Sequence, residues 1–161
     1  MALRQLLVAP CSLLIENMAR VKIALPSTFL FATQLPVRIT DLNYGAHLGN
    51  DALLSLLHEG RVQLLAHLGT AEVDHATKLG FIMADVAVEY KAEAFYGDVL
   101  HIDIGAVDLS KYGFDLVYLV KNQTGREVAR AKTGMLCFDY NTRKLRPLPA
   151  ELAAQVAPAQ P

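Results

Sequence analysis

Two periodicities divide this chain. In ALLSLLHEGRVQLLAHLG, residues 52–69, Leu53, Leu57, Leu64 and Leu68 recur at helical spacing, with Leu54, Arg61 and Leu65 alongside. The spacing predicts one helix of roughly 17 residues, with Asn50 or Asp51 as its N-cap and Gly69 just past its end. Leucines fall on more than one side, so the helix is expected to be wrapped by other structure. From Phe81 the pattern changes to period two and strand-forming composition: FIMADVAVEYKAEAF, VLHIDIGAVDL, FDLVYLVK and REVARAKTGMLCFDY read as four long strands. FLFATQLPVRI before the helix reads as one more strand, and PLPAELAAQV as a short closing helix. "YGD" at 96–98, "KYG" at 111–113 and "NQTG" at 122–125 supply turn residues, and connections so short predict that successive strands are antiparallel neighbours. The expected architecture is α+β, with one buried helix covering a long, twisted antiparallel sheet. Met83, Phe95, Phe114, Tyr118, Met135 and Cys137 are expected in the core.

The chain has 161 residues, which suits one domain without staples. Residues 1–17 read as an extension the fold does not need, since Met18 offers an alternative start, and residues 18–161 as the domain itself. The hydrophobic fraction of 53% against 19% charged is high, so part of the apolar surface is expected to be covered by another copy, as a homodimer or homotetramer. A net charge of -1 with scattered basic residues argues against nucleic acid as a partner. No stretch reaches the ~20 apolar residues of a membrane span, and QLLVAPCSLLI lacks the cleavage site of an export signal. Two cysteines, Cys11 and Cys137, form no disulfide framework or metal motif, which points to the cytoplasm and to a site with no metal.

The polar chemistry is concentrated in TDLNYGAHLGND, residues 40–51, immediately before the helix. This segment resembles the D-x-D-x-x-G-H-v-N-N signature of the hot-dog fold acyl-CoA thioesterases, in particular the 4-hydroxybenzoyl-CoA thioesterase-like branch. In that branch the helix ends in E-A-R, where this chain has Glu59, Gly60 and Arg61. EYKAEAFYGDVL, residues 89–100, resembles the strand-turn-strand segment that follows in such proteins and in the plant acyl-carrier-protein thioesterases. Two departures stand out: Asn43 falls where many members carry a catalytic aspartate, and Gly60 where alanine is usual.

The resemblance implies hydrolysis of an acyl-CoA or acyl-carrier-protein thioester, with coenzyme A entering only as part of the substrate and no bound cofactor. Such a reaction needs a carboxylate that attacks or activates water, and donors for the oxyanion; a helix N-terminus offers free N–H groups and a favourable dipole. Asp41 is the first candidate base and Glu59 the second; the alternatives are a turn acceptor for Asp41 and a salt bridge, with Arg61 or a partner subunit, for Glu59. Asn43 positions a water or the carbonyl, and His47 orients a carboxylate or moves a proton. Tyr44 and Asn50 are assigned to substrate contact. Glu93 matches an acid of the plant enzymes' active site, against the alternative of a solvated strand face shared with Glu89 and Lys91. Arg130 and Lys132, in a basic group with Arg126, Arg143, Lys144 and Arg146, are candidates for the phosphates of coenzyme A. Two other functions fit the same fold: a non-catalytic acyl-CoA-binding protein, in which Asn43 marks a lost base, and a hot-dog lyase acting on acyl-CoA, whose hydration motif is not evident.

Overall fold

The computed structural model describes residues 20–157. The expectations for residues 1–17, for Cys11 and for Met18 lie outside them. Within the described part the helix runs Asn50–His67 (α1), and six strands follow the order β1 Phe31–Pro36, β2 Leu79–Tyr90, β3 Val99–Val107, β4 Gly113–Lys121, β5 Glu127–Asp139 and β6 Lys144–Leu145. The closing helix is Ala150–Val156 (α2). All the predicted elements form. The two-residue β6 and a turn of 3-10 helix at Ile39–Asp41 are additions too short to leave a periodicity.

One antiparallel sheet holds the strands in the order β1-β3-β4-β5-β2, with β6 on the end of β5. "KYG" and "NQTG" do close hairpins, β3–β4–β5. "YGD" does not: β2 pairs with β5 and β3 pairs with β1, so residues 91–98 carry the chain across the sheet. The predicted neighbour relation of β2 and β3 is therefore overturned. Val37 explains part of this, since its N–H and C=O bind Asp98 and Gly97 and seat the crossover beside β1.

α1 lies on the sheet's inner face, where its Leu53, Leu57, Leu64 and Leu65 join Ile102, Ile104, Leu116, Tyr118 and Met135 in the core. Burying such side chains stabilises by about 1.5–3 kcal/mol each. At Gly60 the helix lies close against the sheet: a Cβ there would stand 3.2 Å from the Ile104 δ-methyl. The alternation of β5 buries Ala129, Ala131 and Thr133 inward and leaves Arg130 and Lys132 on the outer face. Phe114, Tyr118, Met135 and Cys137 are buried as expected, but Met83 and Phe95 are about half exposed. Met83 sits on the edge strand β2, and Phe95 on the crossover beyond it. No helix among the described residues is long and apolar enough to cross a membrane.

Candidate functional site

The loop entering α1 is a small hairpin. Leu42 bridges Leu48, the Asn43 N–H donates to the His47 carbonyl at 2.9 Å, and the Ala46 N–H donates to the Asn43 carbonyl at 3.0 Å. The Asn43 side-chain oxygen accepts the Gly45 N–H at 2.8 Å. Ala46 takes the left-handed conformation, φ 59°, that closes the turn. Tyr44 stands fully exposed at the tip. Gly49, not Asn50 or Asp51, is the N-cap of α1, and Asn50 is its first residue. The Asp51 carboxylate folds back over Gly49, within 2.8 Å of where a Cβ would be, which a side chain at position 49 would block. Gly69 follows the C-cap Leu68 at φ 75°, as its spacing predicted.

Asp41 is buried and already partnered. Arg38 donates to it from Nε at 3.0 Å, Nη2 at 2.9 Å and its own backbone N–H at 2.8 Å. The Arg38 hydrogen bond holds the Asp41 carboxyl below the usual range, against the opposing effect of burial. Its backbone carbonyl accepts the Gly49 N–H at 2.9 Å. Asp41 thus fastens both ends of the hairpin, and its carboxylate is turned to Arg38.

The N-terminus of α1 opens on a cavity of about 230 Å³ bordered by His47, Gly49, Asn50, Tyr90, Lys91 and Glu93. His47 Nδ1 lies 3.2 Å from the Leu48 carbonyl and 3.4 Å from the Asn43 amide nitrogen. The carbonyl contact favours a proton on Nδ1, which leaves Nε2 as the basic nitrogen facing Glu93 Oε1 at 3.9 Å. Glu93 lies past the end of β2, so it leaves the strand face on which the alternation placed it with Glu89 and Lys91. Those two form an ion pair of their own. The Tyr90 hydroxyl donates to the Asn50 carbonyl at 3.2 Å, and its pKa is raised, by burial first and then by Asp51. Among the described residues no group of His, Cys, Asp or Glu is placed to hold a metal.

The fold therefore brings Asn43, His47, Asn50 and Glu93 together and leaves the other candidates apart. Glu59 is exposed farther along α1, accepts the Gln63 amide at 2.7 Å, and borders a different cavity with Arg38 and Ser55. The alternative of a salt bridge with Arg61 does not form, because Arg61 binds Glu72. Arg130 is held by Glu127, and Lys132 by Asp85 and Asp115, all away from the α1 cavity. Lys91 and Tyr90, which sequence reading did not single out as site residues, border the cavity; their one signal was membership of the EYKAEAFYGDVL segment.

Comparisons with known proteins give the family and the fold. The chain is 29% identical to the 1,4-dihydroxy-2-naphthoyl-CoA hydrolase of Synechococcus elongatus over 62% of its own length and 75% of the relative's. It is 27% identical to the long-chain acyl-CoA thioesterase FadM of Escherichia coli, over 74% of this chain and 92% of that one. The crystal structure of a 1,4-dihydroxy-2-naphthoyl-CoA thioesterase from Synechocystis superposes with a TM-score of 0.73 at 19% identity, covering 80% of this chain and 96% of that one, and so shares the fold. The profile of the thioesterase-like superfamily matches residues 37–156, from just after β1 through the closing helix, and the chain belongs to that superfamily as a hot-dog thioester hydrolase.

Proposed function

We propose that the protein hydrolyses acyl-CoA thioesters at the N-terminus of α1, with Glu93 as general base and His47 as its partner. One observation carries this reading: a carboxylate and a histidine from segments far apart in sequence converge beside the unpaired first-turn N–H groups of a buried helix. The thioester oxygen is placed at those N–H groups, where the negative charge that develops on it is stabilised. Glu93 takes a proton from water, the water oxygen bonds to the carbonyl carbon, and the C–S bond breaks. The proton held by Glu93 passes to Nε2 of His47 and from there to the leaving thiolate, which leaves as the free thiol. Asn43 and Asp41 act as positioning residues, since both side chains are spent on the hairpin. The reaction so written needs no metal and no organic cofactor.

Acyl-CoA as substrate is supported by what the two curated relatives act on. We further propose a cytoplasmic homodimer paired along β2. Its outer edge is bridged only near Gly80 among the described residues, and Met83, Val86 and Tyr90 remain partly exposed beside that edge. Sedimentation should give at least twice the chain mass of 17.6 kDa, and a clean monomer would remove the dimer.

Thiol release from short, long and aromatic acyl-CoAs tests the activity. Wild type should turn over at least one, and Glu93→Gln should lower kcat by roughly 10²-fold. If acyl-CoA binds and none is hydrolysed, the protein is an acyl-CoA-binding member of the fold. If Asp41→Asn or Glu59→Gln carries the loss instead, the base is misassigned.

A further inference from the structure

A second set of polar groups converges two turns farther along α1. Arg61 is buried, and its Nε and Nη2 both donate to Glu72 Oε1, at 2.9 and 2.7 Å. Nη1 takes no part in that pair. The other Glu72 oxygen lies 2.5 Å from His58 Nε2. Burial raises the proton affinity of Glu72, but the hydrogen bonds from His58 and Arg61 outweigh it, so Glu72 stays charged below the usual carboxylate range. Beneath them the buried Tyr118 and Thr133 hydroxyls share a 3.0 Å hydrogen bond. Ser55, His58, Arg61 and Thr133, with Leu54 and Met83, border a cavity of about 220 Å³.

This cavity and the one at the helix N-terminus lie along a single seam. Asn50, Leu54, His58 and Arg61 form one stripe of α1 at three- and four-residue spacing, and Tyr90, Val86 and Met83 share the inner face of β2. Tyr90 touches Asn50 at one end, and Met83 meets His58 at the cavity at the other. Leu54, Val86 and Met83 leave the stretch between them apolar and partly open. At 1.5 Å rise per residue, Asn50 and His58 stand about 12 Å apart along the helix.

We propose that this seam holds the acyl group and that the cavity at its far end recognises an uncharged hydroxyl at the end of a medium-length chain. The inference rests on the thioesterase reading of the α1 N-terminus. A bare methyl end would lie against Arg61, Ser55 and Thr133 and displace their water without returning a hydrogen bond. A carboxylate end would find the charge of Arg61 already balanced by Glu72 and gain no unpaired cation in return for its lost hydration. A hydroxyl satisfies the donors and carries no charge to desolvate.

The test compares ω-hydroxydecanoyl-CoA, decanoyl-CoA and sebacyl-CoA on the full-length protein. The hydroxyacyl substrate should have the highest kcat/KM, by about 10-fold or more over decanoyl-CoA, with the carboxylate slowest. Ser55→Ala, a change at an exposed position that leaves the fold intact, should narrow the hydroxyl preference severalfold, chiefly through KM; Thr133→Val should narrow it further. Equal rates for the hydroxyl and methyl ends, or a preference untouched by Ser55→Ala, overturn the inference while thioesterase activity stands. Failure to hydrolyse these and the short and aromatic acyl-CoAs overturns both.

Discussion

The outer face of the sheet and the mouth of α1 carry the same kinds of side chain in opposite states. On the outer face Lys132 lies 2.7 Å from both Asp85 and Asp115, and Arg130 is gripped by both oxygens of Glu127. Every charge there has its counter-charge. At the mouth of α1, His47 and Glu93 approach only to 3.9 Å, and both border open space. Residue type does not separate a site from a surface; what separates them is whether the groups are already spent on one another.

The sharpest way to break this contrast is Glu93→Gln. It should lower kcat by roughly 10²-fold while shifting stability by no more than about 0.5 kcal/mol, the usual scale at a solvated position, as read by steady-state kinetics beside thermal melts. A loss of folding in step with activity would show that Glu93 is structural.

Asp41→Asn should do the reverse. It removes a buried carboxylate held by three donors from Arg38, so stability should fall by about 1–3 kcal/mol, with a much smaller change in kcat. The folded-state pKa of Asp41 is lowered, so the stability it contributes is present above its unfolded value of about 4 and is lost as pH falls through the lower folded value. The gap in melting temperature between wild type and variant should therefore close in acid. A gap independent of pH would show that the carboxylate's charge is not what matters.

Arg130→Gln and Lys132→Met should move least. With both side chains paired on the outer face, kcat/KM for acyl-CoA should stay within about twofold and stability within about 1 kcal/mol. A severalfold rise in KM from either would return them to the role in coenzyme A binding that their crowding on one strand suggested.

These two regions also mark how far the sequence could be read. α1 and the long strands were legible because a 3.6-residue or two-residue repeat is a local property, and Leu53 through Leu68 or Val99 through Val107 carry it without outside help. The order of strands was not. "YGD" has the composition of a hairpin turn, and nothing near it discloses that β2 finds β5 rather than β3. The site was half legible for the same reason. His47 and Asn50 stand in one polar run before a helix, whereas the partners that neutralise Lys132 lie 47 and 17 residues earlier, at Asp85 and Asp115. Glu93 was placed on a strand face by an alternation that the chain abandons at Tyr90.

Ala46, immediately before His47, has a consequence for timing. An alanine held left-handed costs roughly 1–2 kcal/mol, which is why the signature this hairpin resembles has glycine at that place. Ala46→Gly would relieve that cost and return roughly half or more of it through the freer unfolded chain, so the melting temperature should hardly change. The native ensemble should change more. With glycine the hairpin gains open conformers, the amides of residues 45–47 should exchange with solvent faster, and the imidazole should spend less time facing Glu93. Alanine in this strained turn therefore narrows the range of conformers open to the hairpin that carries His47.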